Sequence, residues 1–168
     1  MFARYFMIFA AVLTLGACST TSDQGDVQTG MEDGVVVGED DGMFVDSGPE
    51  PGTQADLVVN VGDRVFFETD SSELNAASRT TLDNQASWLG QYPSLSITVE
   101  GHADERGTRE YNLALGERRA NSVKSYLTAL GVSPSRITTI SYGKERPAVP
   151  GANDSAWSQN RRGVTKVQ

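Results

Sequence analysis

The stretch from Gly101 to Asn121, GHADERGTREYNLALGERRAN, constrains the fold more than any other part of the chain. It joins an alternating apolar run, Leu95, Ile97 and Val99, to the longest amphipathic pattern in the sequence, so a strand hands over to a helix within a few residues. Between them sit His102, Asp104, Glu105 and Arg106, set around Gly101 and Gly107. Charged side chains on a strand-to-helix loop are poor core material and good site material. At about 100° per residue, Tyr111, Leu115, Val123, Tyr126, Leu127 and Leu130 spread over one helix face, with Arg119 near its middle and Arg118 at its edge. A guanidinium in that place either snorkels to solvent or finds a carboxylate, because an unpaired buried charge is very costly. Arg119 lies near the start of the helix and so near Asp104. Two readings stay open from spacing alone. One is an Asp104–Arg119 salt bridge that pins the loop. The other is a site for a ligand of both signs, its ammonium on Asp104 and its carboxylate on Arg119 through two parallel hydrogen bonds.

The flanking segments fit one small domain. Residues 63–67 read as a short strand, and residues 68–72 as a polar loop. Asn75 caps a helix through Leu82, Ala86 and Leu89 that ends near Gly90 and Gln91, before Pro93. Residues 95–100 form a second strand. Thr108 caps the long helix with Glu110 in its first turn, and Gly131 ends it through a left-handed residue. Ser133 and Pro134 start one short turn, residues 137–142 a third strand, 154–160 a short helix and 163–167 a last strand. Strands alternating with helices, plus a terminal strand, predict an α+β two-layer sandwich.

The formal net charge of −8, from 14 basic and 22 acidic residues, is unevenly spread. Residues 19–56 hold ten of the acids and no Lys or Arg, leaving twelve acids against thirteen bases in residues 57–168. The acidity belongs to a tail, and the nearly neutral remainder disfavours nucleic acid as a partner. The tail is rich in Gly, Ser, Thr, Asp and Glu, with Val35-Val36-Val37 as its largest apolar cluster, and reads as a disordered, self-repelling tether. Ahead of it, residues 1–17 carry one charge, Arg4, and a short apolar run, which suits a signal peptide better than a span of about 20 residues. The run ends Leu15-Gly16-Ala17-Cys18, which resembles a bacterial lipobox. Cys18 is the chain's one cysteine, so no internal disulfide forms, and the expected fate of Cys18 is acylation. Three acyl chains anchor stably where one is marginal. Ser19 after it, rather than Asp, favours the outer membrane. The expected organisation is a signal peptide over 1–17, a lipidated tether over 18–56 and a domain over 57–168.

GHADERGTREYNLALGERRANSVKSYL closely resembles the signature of the OmpA-like peptidoglycan-binding domain family, and within it the peptidoglycan-associated lipoproteins. The likeness extends to Val65–Asp70, to Ser141–Pro147 and to Asn160–Arg162. It implies an OmpA-like α+β domain with helices on one face of a mixed sheet of about four strands. It also implies non-covalent binding of the diaminopimelate-bearing peptide stem of peptidoglycan, with Asp104 on the ammonium and Arg119 on the carboxylate. Supporting residues carried over from the family are Gly107, Thr108, Tyr111, Asn112, Leu115 and Arg118, with Phe67, Thr69 and Asp70 less closely matched. The implied role is a non-enzymatic tether between outer membrane and cell wall in the Tol–Pal system of cell division and envelope integrity. The implied partners are TolB and, with it, TolA. The alternative reading makes the domain mainly a hub for those proteins. Arg109 stands where close relatives often carry Pro, adding charge at the rim.

Other chemistry has little footing. One His in the whole chain makes a metal site of His102, Asp104 and Glu105 weak. No Ser has a His–acid pair by motif and no Gly-rich phosphate loop follows a strand, so no catalysis and no cofactor are expected. Trp88, beside the Leu82–Leu89 stripe, is expected in the core, and Trp157 at the surface.

Overall fold

The structure is a computed structural model that describes residues 48–168. The expected signal peptide, Cys18 and most of the expected tether lie outside the described residues. The described chain forms helix α1 (Gln54–Asp56), a π-helical turn (Leu57–Val61), strand β1 (Arg64–Phe66), helix α2 (Ala76–Gln91), strand β2 (Ile97–His102) and helix α3 (Arg109–Ala129). A 3₁₀ turn (Pro134–Arg136), strand β3 (Ile137–Gly143), helix α4 (Asp154–Asn160) and strand β4 (Arg162–Val167) follow. The four strands make one mixed sheet in the order β1-β4-β2-β3, with β2 and β3 parallel and β4 antiparallel to both β1 and β2. Long helix α3 is the crossover that a parallel β2–β3 pair requires. The α+β sandwich is therefore as expected, and the terminal strand sits inside the sheet rather than at its edge.

The helix ends follow local chemistry. The Asn75 side chain accepts from the Ser78 amide at 2.8 Å, and the Thr108 hydroxyl accepts from the Tyr111 amide at 3.2 Å. At the far end of α3, Gly131 has φ 97°, its amide donates to Thr128 O, and the Val132 amide donates to Leu127 O. That is a Schellman ending, which needs a left-handed residue and uses glycine for it. Arg136 fans its guanidinium over the carbonyls of Leu89, Tyr92 and Leu95, satisfying the end of α2 and the turn after it.

Ala120, Val123 and Leu127 of α3 are buried with Ile97 and Val99 of β2 and with Leu82, Trp88 and Leu89 of α2. Each such aliphatic side chain contributes about 1.5–3 kcal/mol on burial. The predicted α3 stripe is longer than the one the core uses. Tyr111 and Leu130 are 44% and 45% exposed, because they stand at the two ends of the helix, past the core cluster. Trp88 is in the core, as expected, but its Nε1–H donates to Asp56 Oδ2 at 2.9 Å. Asp56 also accepts from the Gly52 amide and from Asn60 Nδ2. Those bonds hold α1 as ordered structure inside the stretch expected to be tether up to Asp56.

Candidate functional site

The site begins with a close approach of two backbones. A Cβ built on Gly101 of β2 would lie 1.8 Å from the carbonyl oxygen of Gly116 on α3. With no side chain at either position, the end of β2 and the second turn of α3 come into direct contact. At the same point the β2–β3 register slips between Gly101 and His102, leaving Tyr142 as an extra residue on β3. The chain then leaves the sheet through Ala103 and Asp104, turns at Gly107 (φ 87°) and enters α3. Asn112, 2% exposed, donates to Arg106 O at 2.7 Å, and Lys144 Nζ donates to the carbonyls of Glu105 and Gly107. The loop is thus tied from both sides.

Arg119 is fully buried, and its partners are not carboxylates. Nε donates to Ser71 O at 2.8 Å, Nη1 to His102 O at 2.8 Å and Nη2 to Glu68 O at 3.0 Å, while the guanidinium carbon lies 5.2 Å from the centroid of the Phe67 ring. One side chain therefore fastens α3 to the end of β2 and to the loop between β1 and α2. Burial, with the nearby charge of Arg161, pushes its pKa down to about 10, which leaves it cationic at neutral pH. A guanidinium has five N–H groups, so two remain beyond those three bonds.

The Asp104–Arg119 salt bridge, one of the two readings left open by spacing, is absent. Asp104 instead takes a fork from Arg106, with Nη2 to Oδ2 at 2.7 Å and Nε to Oδ1 at 3.1 Å, plus the Arg106 amide at 3.1 Å and Arg161 Nη1 at 3.5 Å. Burial pushes the Asp104 carboxyl up, but the hydrogen bonds and charge of Arg106, with Arg161, outweigh it and hold the group below the usual carboxylate range. Arg106 is two residues away and on the same loop, whereas the helix directs Arg119 at backbone carbonyls.

Asp104 and Arg119 nevertheless face one cavity of about 340 Å³, whose walls also include Thr69, Asp70, Gly107, Tyr111, Asn112, Leu115 and Arg106. Eight of the residues expected from sequence meet there. Across it, the Tyr111 hydroxyl donates to the Asp70 carboxylate, and Asp70 has φ 54°, a left-handed conformation that Asp tolerates better than most residues. Three expected residues lie outside the cavity. Thr108 caps α3, Phe67 lies beneath the Arg119 guanidinium, and Arg118 lies 6.0 Å from the Tyr111 ring on the wall of a separate groove between α2 and α3. Arg106, named only among the charged loop residues, and Arg161, named only within the Asn160–Arg162 likeness, contact Asp104 although neither is assigned a role from sequence. The Asp104-x-Arg106 spacing was the one local signal for the first.

His102 does not join Asp104 and Glu105 as a ligand set. Its ring is 1% exposed, lies against Tyr142 and leaves both nitrogens without a hydrogen bond, the Glu100 carboxylate standing 3.5 Å from Nε2. Burial, with the charges of Arg162 and Arg146, pushes its pKa down to about 3, so the ring is neutral. Among the described residues no cluster of three His, Cys, Asp or Glu side chains is arranged to hold a metal ion, and no helix is long and apolar enough to cross a membrane. Trp157 is partly exposed, with the Arg106 guanidinium 4.3 Å from its ring centroid and its Nε1–H donating to Glu105. Arg109 pairs with Glu145 at the rim.

The sequence model of the OmpA family matches residues 66–161, which take in every wall of this cavity. Peptidoglycan-associated lipoproteins of Rhizobium meliloti and Mesorhizobium japonicum are each 60% identical to the chain, over 115 and 117 residues. The first match covers 68% of this chain and 65% of the relative, so it spans just under two thirds of that protein. The second covers 70% of each. The Legionella pneumophila protein of the same name is 36% identical over 162 residues, 96% of this chain and 92% of the relative. Among solved structures, the peptidoglycan-associated lipoprotein from Burkholderia pseudomallei superposes with a TM-score of 0.62 at 39% identity, covering 63% of this chain and 90% of that one.

Proposed function

The chain belongs to the OmpA family, and from that membership and the two charged poles of its cavity we propose that it is a non-enzymatic lipoprotein of the outer membrane whose domain binds peptidoglycan. The ligand in this reading is the diaminopimelate side chain of the peptide stem. Its ammonium goes to Asp104 and its carboxylate to the free N–H groups of Arg119, with the methylene chain along Leu115. One observation carries the reading. A buried carboxylate and a buried guanidinium, not paired with each other, open on the same cavity from different elements. A group that bears both charges on one short chain offers a partner to each pole, and charge-assisted bonds of this kind are stronger than neutral ones.

Acylated Cys18 supplies the membrane end of the tether, and the segment after it spans to the ordered start of the domain at α1. The domain faces the periplasm in this arrangement, and the cavity face alternates between the wall and TolB, with TolA as a further Tol-system partner. Competition between sacculi and TolB for the isolated domain measures that alternation. The direct test of the site is cosedimentation with purified sacculi. Asp104→Asn, which keeps the shape and removes the charge, is expected to leave the domain in the supernatant with its fold intact. Pelleting equal to the wild type would overturn the assignment.

A further inference from the structure

An ionised Asp carboxylate has about four acceptor sites, and in Asp104 all four are taken. The Arg106 amide and Nε both donate to Oδ1, and Arg106 Nη2 and Arg161 Nη1 both donate to Oδ2. An incoming ammonium has no vacant lone pair, so one donor must leave. The backbone amide is fixed by the turn. Arg161 is 12% exposed along its side chain and is also held by Phe67 O at 3.0 Å. Arg106 is 41% exposed and already has other company, the Trp157 ring at 4.3 Å and Thr69 Oγ1 at 3.4 Å. Of the donors, only its guanidinium is both exposed and provided with a second resting place.

We infer that Arg106 is a built-in competitor cation: it occupies the ammonium subsite in the empty domain, sets the affinity of the site, and yields to the ligand by leaving the carboxylate while the Trp157 ring continues to hold it. This inference rests on the ligand reading above. The site then admits a group that replaces a charge-assisted fork with another cation, and a neutral amine derivative gains nothing from displacing it. The barrier to weak ligands is raised without any wall being closed.

The test is a titration of a soluble diaminopimelate-containing stem peptide, followed by calorimetry, against the wild-type domain, Arg106→Gln, Arg106→Lys and Asp104→Asn. The same peptide with its side-chain amine acetylated serves as the second ligand. Arg106→Gln is expected to bind the free-amine peptide about fivefold more tightly, on the scale of an exposed ion pair, and to show no gain for the acetylated one. Arg106→Lys, a point charge in place of a fork, is expected to fall between wild type and Gln, and it carries the test if circular dichroism shows the Gln variant unfolded. Unchanged or weaker binding by both Arg106 variants overturns the inference alone, provided Asp104→Asn still abolishes binding. An equal gain for the acetylated peptide also overturns it. Failure of the wild type to bind the free-amine peptide overturns the ligand reading and this inference with it.

Discussion

Gly101 and Gly116 meet so closely that a methyl group on the first would overlap the carbonyl of the second, at 1.8 Å. The contact fixes where β2 ends relative to α3. His102 follows Gly101 and gives its carbonyl to Arg119, which lies less than one turn beyond Gly116. Gly101→Ala must therefore push backbone against backbone. It is expected to destabilise the domain by about 3 kcal/mol, the upper end of overpacking costs, in urea unfolding. Gly90→Ala, in α2 with nothing within 4 Å of the new Cβ, is expected to raise stability by up to about 1 kcal/mol.

Arg119 holds three carbonyls, two from the loop between β1 and α2 and one from the end of β2, so its removal affects more than the cavity. Arg119→Met is expected to cost about 3 kcal/mol or more, since buried carbonyls stripped of donors each carry a penalty of about 1–3 kcal/mol. Equilibrium unfolding reads that loss. Wall binding by an Arg119 variant consequently reports folding as well as ligand contact, whereas Asp104→Asn leaves those ties in place.

His102 makes the domain acid-sensitive. Unfolded, the imidazole takes a proton near pH 6.5; folded, it resists until about 3. Between those values the unfolded chain binds more protons, so stability falls as pH drops through the window, by at most about 1.4 kcal/mol per unit. Asp104, held below its ordinary range, adds to the loss at the acid end, as stability is lost when pH falls through its folded pKa. His102→Phe removes two unpartnered nitrogens and is expected to flatten the profile between pH 4 and 6. A slope as steep as the wild type's, measured by chemical unfolding across that range, would count against the buried neutral ring.

The local grammar of the chain was legible in its sequence. Asn75, Thr108 and Gly131 act where their side chains or backbone freedom direct, because capping depends on a few neighbouring residues. Arg119 stood out because a charge at the centre of an apolar stripe demands an explanation. Its partners did not stand out. The carbonyls of Glu68 and Ser71 arrive from some fifty residues away, and a carbonyl has no signature in the sequence. Asp104, one of the partners that spacing allowed for Arg119, went instead to Arg106, whose short path outcompeted the helix. Nor did strand order show: β4 lies between β1 and β2, a pairing set by long-range packing rather than by any local pattern. The OmpA-like resemblance supplied the ligand proposed above and the expectation of a four-stranded mixed sheet, which spacing alone did not.

Whether one cavity reads both charges of one ligand is decided by calorimetric titration of two stem peptides that differ in a single group. One carries diaminopimelate and the other lysine, which keeps the ammonium and lacks the side-chain carboxylate. Wild-type domain is expected to bind the diaminopimelate peptide about tenfold or more tightly than the lysine peptide, the worth of a charge-assisted hydrogen bond to Arg119. Equal affinities for the two would show that Arg119 reads no carboxylate and that the cavity does not recognise both charges.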